Sequence, residues 1–254
     1  MTVTQERTTG DLLVATGITC RFGGLVALDD VGFRIAPGEI VGLIGPNGSG
    51  KSTLLSCLSL GRRPDAGKIM LSGKDISRRR PSTVARMGLT RTFQDARVFP
   101  ELTVLENVLL SRNWTTLPRF GALRGPEESV RERADRLLDL VGIRSMSATH
   151  AGELSGGQQR LLELVMAIMP SPKVVMLDEA TSGVNPALIL ELADHLRLLH
   201  REENVSFVIV EHNVGFVFGM ADRVVVLEQG RVLADGTPDE VKANQEVIDA
   251  YLGA

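Results

Sequence analysis

A glycine-rich segment between a predicted strand and a predicted helix constrains this chain more than any other feature. Residues 45–53 read GPNGSGKST, directly after the apolar run Ile40–Ile44 and directly before the helix-forming stretch Lys51–Leu60. This order of strand, loop and helix is typical of a phosphate-binding loop, or P-loop. Glycines allow a tight turn that points successive backbone N–H groups at phosphate oxygens, and the positive end of the new helix faces the same anion. The segment therefore predicts a site for a nucleotide.

The side chains of this loop predict two kinds of contact. Lys51 is expected to reach the β- and γ-phosphates, and the Ser52 hydroxyl is placed to bind Mg²⁺. The alternative is a plain glycine-rich turn. The candidate nucleotide-binding residues of this segment are Gly45, Pro46, Asn47, Gly48, Ser49, Gly50, Lys51, Ser52 and Thr53.

A second glycine-rich segment, LSGGQ, occupies residues 154–158. Ser155, Gly156 and Gly157 are predicted to open a helix, where they offer a hydroxyl and unpaired N–H groups to an anion. The alternative is that Ser155 serves only as a helix N-cap. Together with Gln158, these residues are candidates for binding a nucleotide.

Two adjacent acids end the apolar strand that follows, which reads VVMLDE over residues 174–179. Burial of two neighbouring carboxylates is costly unless a ligand or a reaction uses them. In P-loop enzymes the first acid holds Mg²⁺, a position filled by Asp178. Glu179 is expected to orient or deprotonate the attacking water. An exposed acidic turn is the alternative.

Composition excludes several classes of protein. The 254 residues carry a net charge of −3, so no basic surplus indicates nucleic acid as the main partner. The longest apolar run, Val214–Ala221, is shorter than the roughly 20 residues that span a bilayer. Residues 1–10 are polar and are predicted to form a flexible tail without an export signal. Cys20 and Cys57 lack metal-ligand spacing and are expected to be buried thiols.

Strand and helix patterns alternate along much of the chain, which predicts an α/β core with a buried parallel sheet. Between Gln94 and the LSGGQ segment the sequence lacks strong strand patterns, and one clear helix is predicted over Glu127–Val141. We interpret this stretch as a small helical subdomain inserted in the core. The predicted strands are Leu12–Ile18, Val31–Ile35, Ile40–Ile44, Lys68–Leu71, Val174–Leu177, Val205–Val210 and Arg223–Leu227, the last followed by a hairpin signal.

These segments, in this order, resemble the ATP-binding-cassette (ABC) ATPases over about residues 11–252. The resemblance implies one ATPase domain over residues 11–254. Its P-loop NTPase core would have a mainly parallel sheet, an antiparallel β-subdomain and a helical subdomain inserted at about residues 95–170. ATP and Mg²⁺ would be its ligands.

The resemblance also assigns roles to three residues outside the motifs above. Phe22 would stack on adenine, in a position where the family more often has Tyr. Gln94 would touch Mg²⁺ and the attacking water, and His212 would contact the γ-phosphate. Without the resemblance, a single histidine after a strand is more often structural.

The partners follow from the same resemblance. The LSGGQ segment would complete the site of a second cassette, so that two ATP molecules lie between two head-to-tail subunits. Integral membrane permeases and, through the complex, a periplasmic or extracellular binding protein would be further partners. The chain would act at the cytoplasmic face of the inner membrane as a peripheral subunit, with no nucleic acid involved.

Several segments are most similar to the ATPases of bacterial branched-chain (hydrophobic) amino-acid importers. They are residues 22–28, 91–94, 183–186 and 247–253. Asn185, where most cassettes have Asp, fits that subgroup and equally fits a helix cap before Pro186. Ala180, after the catalytic Glu, and Met166 depart from the family pattern, although neither departure removes a catalytic atom.

Three alternatives to amino-acid import stay open at this point. An ATPase of a lipid or polysaccharide exporter has similar motifs. A non-transport cassette acting on nucleic acid is disfavoured, because repair members carry a long coiled coil where this chain has 59 residues. A scaffold without turnover would need a damaged site, whereas every expected catalytic residue is present.

A short apolar pair follows Gln94 and precedes the next helix signal. Val98 and Phe99 lie in a stretch with exposed-loop character, which is typical of a groove for a permease's short cytoplasmic helix. The alternative is that Phe99 packs into the core of the helical subdomain.

Overall fold

The computed structural model describes residues 10–92, 98–112, 128–179, 181 and 186–252. Its strands are β1 Leu13–Phe22, β2 Leu25–Ile35, β3 Ile40–Ile44, β4 Ala66–Leu71, β5 Lys74–Asp75, β6 Leu89–Arg91, β7 Val174–Asp178, β8 Ser206–Val210, β9 Arg223–Glu228 and β10 Arg231–Gly236. Its helices are α1 Lys51–Leu58, α2 Pro81–Arg86, α3 Val104–Leu110, α4 Glu128–Leu140, α5 Gly156–Ile168, α6 Pro186–Glu203, α7 Val214–Met220, α8 Pro238–Ala243 and α9 Gln245–Val247. Shorter helical turns are Arg144–Met146, Ala151–Glu153 and Ile248–Leu252.

A six-stranded sheet with the order β10-β9-β3-β8-β7-β6 forms the centre of the fold. Its strands pair in parallel from β9 to β6, and β10 adds antiparallel at one edge through the predicted hairpin. All residues of β3, β7 and β8 are buried. Such strands are apolar throughout because both faces of a parallel sheet are covered. The predicted parallel core is confirmed.

Alternate side chains of the central strands face different layers. In β7, Val175 and Leu177 pack with the helices α3 to α6, while Val174 and Met176 pack towards α1 and the second sheet. Phe207 and Val208 of β8 divide in the same way. Because side chains of a strand alternate between its two faces, one apolar run serves two hydrophobic layers.

The second sheet is antiparallel, with the order β2-β1-β4-β5. Its inner face includes Phe33 and Ile69, which pack with Leu54 and Leu58 of α1. The sheet thus holds the helix that follows the P-loop, and the antiparallel β-subdomain expected from the resemblance is present.

The predicted boundaries differ in detail from the observed ones. The helix after the P-loop ends at Leu58 instead of Leu60. Leu60 has a φ of 56°, a left-handed conformation that a continuing helix cannot contain. The prediction also omitted the short strands β5 and β6, which have too few residues to produce a visible alternation.

The two cysteines are free and buried, as predicted. They lie on β1 and α1 and face each other, although 37 positions separate them (57 − 20). Burial, with the neighbouring Cys20 adding to it, raises the pKa of Cys57 to about 12. The group is therefore a neutral thiol at physiological pH.

The carboxyl ends of the parallel strands place the candidate site. The P-loop follows β3, Glu179 follows β7, His212 follows β8 and Gln229 follows β9. Ligands of open α/β sheets bind at this edge, because the loops after parallel strands meet there. None of the helices that the structure describes is both long and apolar enough to cross a bilayer.

Candidate active site

One cavity collects most of the predicted nucleotide-binding and catalytic residues. Its volume is about 530 Å³, within the range of small-molecule sites. Phe22, Glu179 and His212 line it together with the P-loop residues 47, 48 and 50–53. Residues predicted from four separate segments of the sequence therefore share one cavity.

The P-loop glycines are required by close backbone contacts. Gly45 has a φ of 148°, and a Cβ there would lie 2.1 Å from the carbonyl oxygen of Leu227. Gly50 has a φ of 107°, and a Cβ there would lie 2.7 Å from the carbonyl oxygen of Ala27. Any larger residue would push the loop away from β9 and β2, because both contacts are with backbone atoms.

Lys51 bonds to its own loop. Its Nζ donates to the carbonyl oxygens of Gly45 at 2.7 Å and Pro46 at 3.0 Å, and only 6% of the residue is exposed. Burial lowers the pKa of Lys51, while the nearby Glu179 and Asp178 carboxylates oppose that shift. The ammonium group is thus held at the loop by carbonyl dipoles and two acids.

The hydroxyl of Ser49 is the exception to this bonding within the loop. It is buried and has no hydrogen-bond partner among the described atoms. A buried polar atom without a partner is costly. Ser49 does not line the cavity, so the fit of the loop to a phosphate group rests on Lys51 and on the backbone of Gly48 and Gly50, which do line it.

Asp178 lies at the end of β7 and forms an ion pair that the sequence analysis did not anticipate. Arg91 Nη2 donates to Asp178 Oδ2 at 2.7 Å, and Arg91 Nη1 donates to Ser56 Oγ at 2.9 Å. Arg91 ends β6, which pairs with β7. The signal that could have identified it is a basic residue at the end of a strand next to the acidic one.

Glu179 lies in a left-handed backbone conformation with a φ of 53°. Its Oε1 is 2.9 Å from His212 Nε2, and its backbone N–H donates to the carbonyl of Val210 at 2.8 Å. The conformation is uncommon for a residue with a Cβ, and such strain concentrates at functional sites. The structure thus joins the predicted base and the predicted phosphate sensor directly.

A buried carboxylate behind this pair was not predicted from the sequence. Glu211 is 2% exposed and accepts hydrogen bonds from Thr181 N at 2.7 Å and Thr181 Oγ1 at 2.6 Å. Burial raises the pKa of Glu211, although the bonds from Thr181 oppose the shift. Glu211 therefore ties the chain beside His212 to the chain just after Glu179.

Phe22 ends β1 at the rim of the cavity, and 47% of it is exposed. Leu25 and Val26 beside it are also exposed. This apolar rim lies on the same cavity as the phosphate-binding loop, as a site for a planar base joined to phosphates requires.

The LSGGQ residues lie apart from this cavity. Gly156 begins α5, which confirms the predicted helix start, and Ser155 is its N-cap. Ser155 Oγ accepts from Gln158 N at 3.4 Å, and Gln158 Oε1 accepts from Ser155 N at 2.9 Å. Both interpretations of Ser155 are thus compatible with the structure, because this capping box leaves Gly156 exposed.

Several predicted positions fall outside the described residues: Gln94, Ala180 and Asn185. The apolar pair after Gln94 divides between two environments. Val98 packs against the helical core, whereas Phe99 is 53% exposed. The alternative in which Phe99 fills that core is therefore wrong.

The other three histidines bond to backbone carbonyls away from the cavity. His150 Nδ1 lies 3.0 Å from the Glu101 oxygen, His195 Nδ1 3.2 Å from that of Leu140, and His200 Nδ1 2.8 Å from that of Val205. None of these three histidines lines the cavity that contains His212.

Comparison with known proteins gives consistent results. The ABC transporter family model matches residues 28–182, and the model of the branched-chain amino acid ATP-binding cassette transporter matches residues 231–254. The chain is 37% identical to the high-affinity branched-chain amino acid transport ATP-binding protein BraF of Pseudomonas aeruginosa, over 95% of this chain and 98% of that protein. It is 36% identical to LivG of Escherichia coli, a protein with the same description, with the same coverage.

Solved structures agree with the sequence relatives. The ADP conformation of MJ1267, an ATP-binding cassette of an ABC transporter, superposes with a TM-score of 0.86 at 31% identity, covering 97% of this chain and 100% of that chain. The predicted resemblance is confirmed. The chain therefore belongs to the ABC transporter family, as an ATP-binding and ATP-hydrolysing subunit.

Proposed function

We propose that this subunit powers the import of branched-chain or other hydrophobic amino acids. The names of the relatives and the match of residues 231–254 to a branched-chain transporter model support this substrate class. ATP hydrolysis rests on one observation above the others, the 2.9 Å contact between Glu179 and His212 in the P-loop cavity. The proposed arrangement is one ATPase domain over residues 11–254, with the helical subdomain at about residues 95–170.

In this proposal each residue of the cavity has one task. The P-loop backbone and Lys51 bind the phosphates, because N–H groups and an ammonium are the donors that phosphate oxygens prefer. Glu179 accepts the proton of the attacking water, and His212 holds the Glu179 carboxylate in position and contacts the γ-phosphate. Phe22 stacks on adenine, and Gln94 contributes from outside the described residues.

Mg²⁺ is the expected metal. Ser52 and Asp178 offer a hydroxyl and a carboxylate oxygen, which are ligands that Mg²⁺ prefers, with Gln94 as a third. When bound, the ion neutralises charge on the β- and γ-phosphates. The ion pair with Arg91 occupies Asp178 Oδ2 and leaves Oδ1 outside that pair.

The partners are a second cassette and permease subunits, and the complex reaches a periplasmic or extracellular binding protein. The subunit itself lies at the cytoplasmic face of the inner membrane. Asn107 of α3 holds the segment that carries Phe99: its side chain donates to the carbonyl oxygens of Phe99 and Thr103 and accepts from Phe99 N. An exposed phenyl ring on a fixed backbone is suited to bind an apolar helix of a permease.

Uptake of labelled leucine, isoleucine and valine tests this proposal in cells that lack the native gene. Glu179→Gln should abolish uptake and reduce the ATPase rate of the isolated subunit by roughly 10² or more, the range for a lost general base. Phe99→Asp should also abolish uptake but leave that isolated ATPase near wild type, because the ring contacts the permease and not the nucleotide.

Val232→Asp is the matched control, since Val232 is another exposed apolar residue. It should retain both activities. Full uptake with Phe99→Asp would refute the docking role. Normal ATPase activity in Glu179→Gln would refute the base, and uptake of other solutes only would refute the substrate class.

A further inference from the structure

Arg62 lies over one face of the Phe22 ring. Its guanidinium carbon is 3.8 Å from the centroid of that ring, within the distance of a cation–π contact. Phe22 lines the cavity and Arg62 does not. One face of the ring is therefore covered by a guanidinium, and 47% of Phe22 is still exposed.

Two hydrogen bonds fix the guanidinium against β1. Arg62 Nη2 donates to the Arg21 carbonyl at 2.6 Å, and Arg62 Nε donates to Cys20 Sγ at 3.0 Å. Both acceptors immediately precede Phe22 in the strand. The position of the guanidinium plane is thus set by the same strand end that carries the ring.

The backbone of Arg62 is joined to the helix of the P-loop. Arg62 N donates to the carbonyl of Ser56 in α1 at 3.0 Å. Asp65 adds two bonds between the same segments, because its carboxylate accepts from Arg21 N at 2.6 Å and its backbone N–H donates to Thr19 at 2.8 Å. The ring is therefore connected to the helix whose first turn carries Lys51 and Ser52.

A phenylalanine has no polar group with which to hold its ring in place. Only packing can orient it, and at a rim that is half exposed the guanidinium supplies that packing. A planar cation on one face also makes the ring a pre-ordered surface, so a base that stacks on the other face loses less conformational freedom on binding.

From these contacts we propose that Arg62 is a positioning residue for adenine, forming a three-layer stack of guanidinium, Phe22 ring and base. The proposal rests on the assignment of this cavity to ATP. Because Arg62 does not line the cavity, it acts through Phe22 and stabilises binding of the base alone.

Equilibrium binding to the full chain, measured by calorimetry, tests this with two ligands. ATP contains the base, whereas inorganic tripolyphosphate has the phosphates without it. Arg62→Met keeps the length of the side chain and removes the planar charge. It should weaken ATP binding about fivefold, the size of one exposed cation–π contact, and leave tripolyphosphate binding unchanged.

Arg63→Met is the matched control, since Arg63 is the exposed neighbour, and within the described part of the chain its side chain hydrogen-bonds to the Arg78 carbonyl at 3.5 Å. It should bind both ligands as wild type does. In a Phe22→Ala background, Arg62→Met should cause no further loss. Arg62→Lys keeps the positive charge but lacks the planar guanidinium, so it should lose part of the ATP affinity. This variant replaces Arg62→Met in the test if the methionine variant does not fold.

Equal loss of both ligands in an Arg62 variant would overturn the proposal, because it would indicate a general disturbance of α1. Unchanged ATP binding would overturn it as well. Failure of the underlying site gives a different result: the wild type would bind neither ligand, or Lys51→Ala would bind both as tightly as wild type.

Discussion

Asp178 and Glu179 are neighbours in sequence and have different surroundings in the structure. Asp178 ends a buried strand and pairs with Arg91 at 2.7 Å. Glu179 turns into the cavity and meets His212. The left-handed backbone at Glu179 separates the two carboxylates, so one strand end can supply a metal ligand and a base with separate partners.

Glu211 is a buried carboxyl group beside His212 whose pKa is shifted in the folded protein. Because burial raises its pKa, the folded protein holds the proton to a higher pH than the unfolded chain does. The free energy of unfolding should therefore fall as the pH rises from the ordinary glutamate pKa of about 4.3 through the raised value. The Glu211→Gln variant has no ionisable group at this position, so it does not lose this stability as the pH rises. The free energy of unfolding of the variant, relative to that of wild type, should therefore increase with pH. Urea unfolding at pH 5, 6.5 and 8 measures the difference.

Glu240→Gln gives a control of opposite sign. Hydrogen bonds from Thr237 lower the pKa of Glu240, so its contribution is present above the unfolded pKa and is lost as the pH falls. This variant should be less stable than wild type at neutral pH, and the difference should shrink in acid. A Glu211→Gln effect that does not change with pH would contradict the assignment.

Among the helices, α3 combines two functions at its first turn. Thr103 and Glu106 form a capping box that begins the helix. Asn107, fully buried one turn later, bonds to the backbone of Phe99, Leu102 and Thr103. These bonds hold the segment of residues 99–103 against α3, and Phe99 is the exposed residue at the start of that segment.

Asn107→Ala should leave several of these backbone groups without partners and lower the free energy of unfolding by about 2 kcal/mol. It should also speed hydrogen exchange at the Phe99 amide, which donates to Asn107 Oδ1 at 2.7 Å. Denaturant unfolding and exchange followed by NMR provide the two measurements.

Thr103→Ala is the control within the same helix turn, and it should cost about 1 kcal/mol, the usual value of a lost cap. The Phe99 amide should keep its protection in that variant. Equal exchange at Phe99 in both variants would show that Asn107 does not hold the segment.

At the scale of the whole molecule, the two predicted phosphate-binding segments occupy different surfaces. The P-loop lines the cavity with Glu179 and His212, whereas Ser155 lies at the start of α5 and does not line that cavity. We propose that the LSGGQ segment meets the nucleotide bound by a second subunit.

The Glu179→Gln protein should therefore dimerise with ATP and Mg²⁺ and stay monomeric with ADP, alone or with its natural partner cassette. The γ-phosphate supplies the difference in affinity between the two states that such a shift requires. Adding Ser155→Arg should prevent association and leave ATP binding to the isolated chain intact. Light scattering reports the mass, and calorimetry reports the binding.

Thr237→Arg is the control for Ser155→Arg, because it also places an arginine at the N-cap of a helix. Thr237 and Glu240 form an equivalent capping box at α8. This variant should still dimerise. A mass that does not depend on the nucleotide, with the native partner present, would rule out the shared site.

The sequence by itself determined the features that depend on contiguous residues. The P-loop, the LSGGQ helix start, the acidic end of β7 and the positions of the central strands along the chain each follow from local spacing and apolar periodicity. The family relation followed from the order of these motifs.

Only the tertiary structure decided which distant residues meet. Arg91 and Asp178 are 87 positions apart, Thr181 and Glu211 are 30 apart, and Arg62 reaches back 41 positions to the Arg21 carbonyl. No local pattern marks such pairs, because their distance depends on strand order and on the packing of α1 against β1. The physical reason is that the hydrophobic effect, which packs the layers together, is non-directional and does not select particular polar pairs. The polar contacts between the layers form only once the layers are assembled.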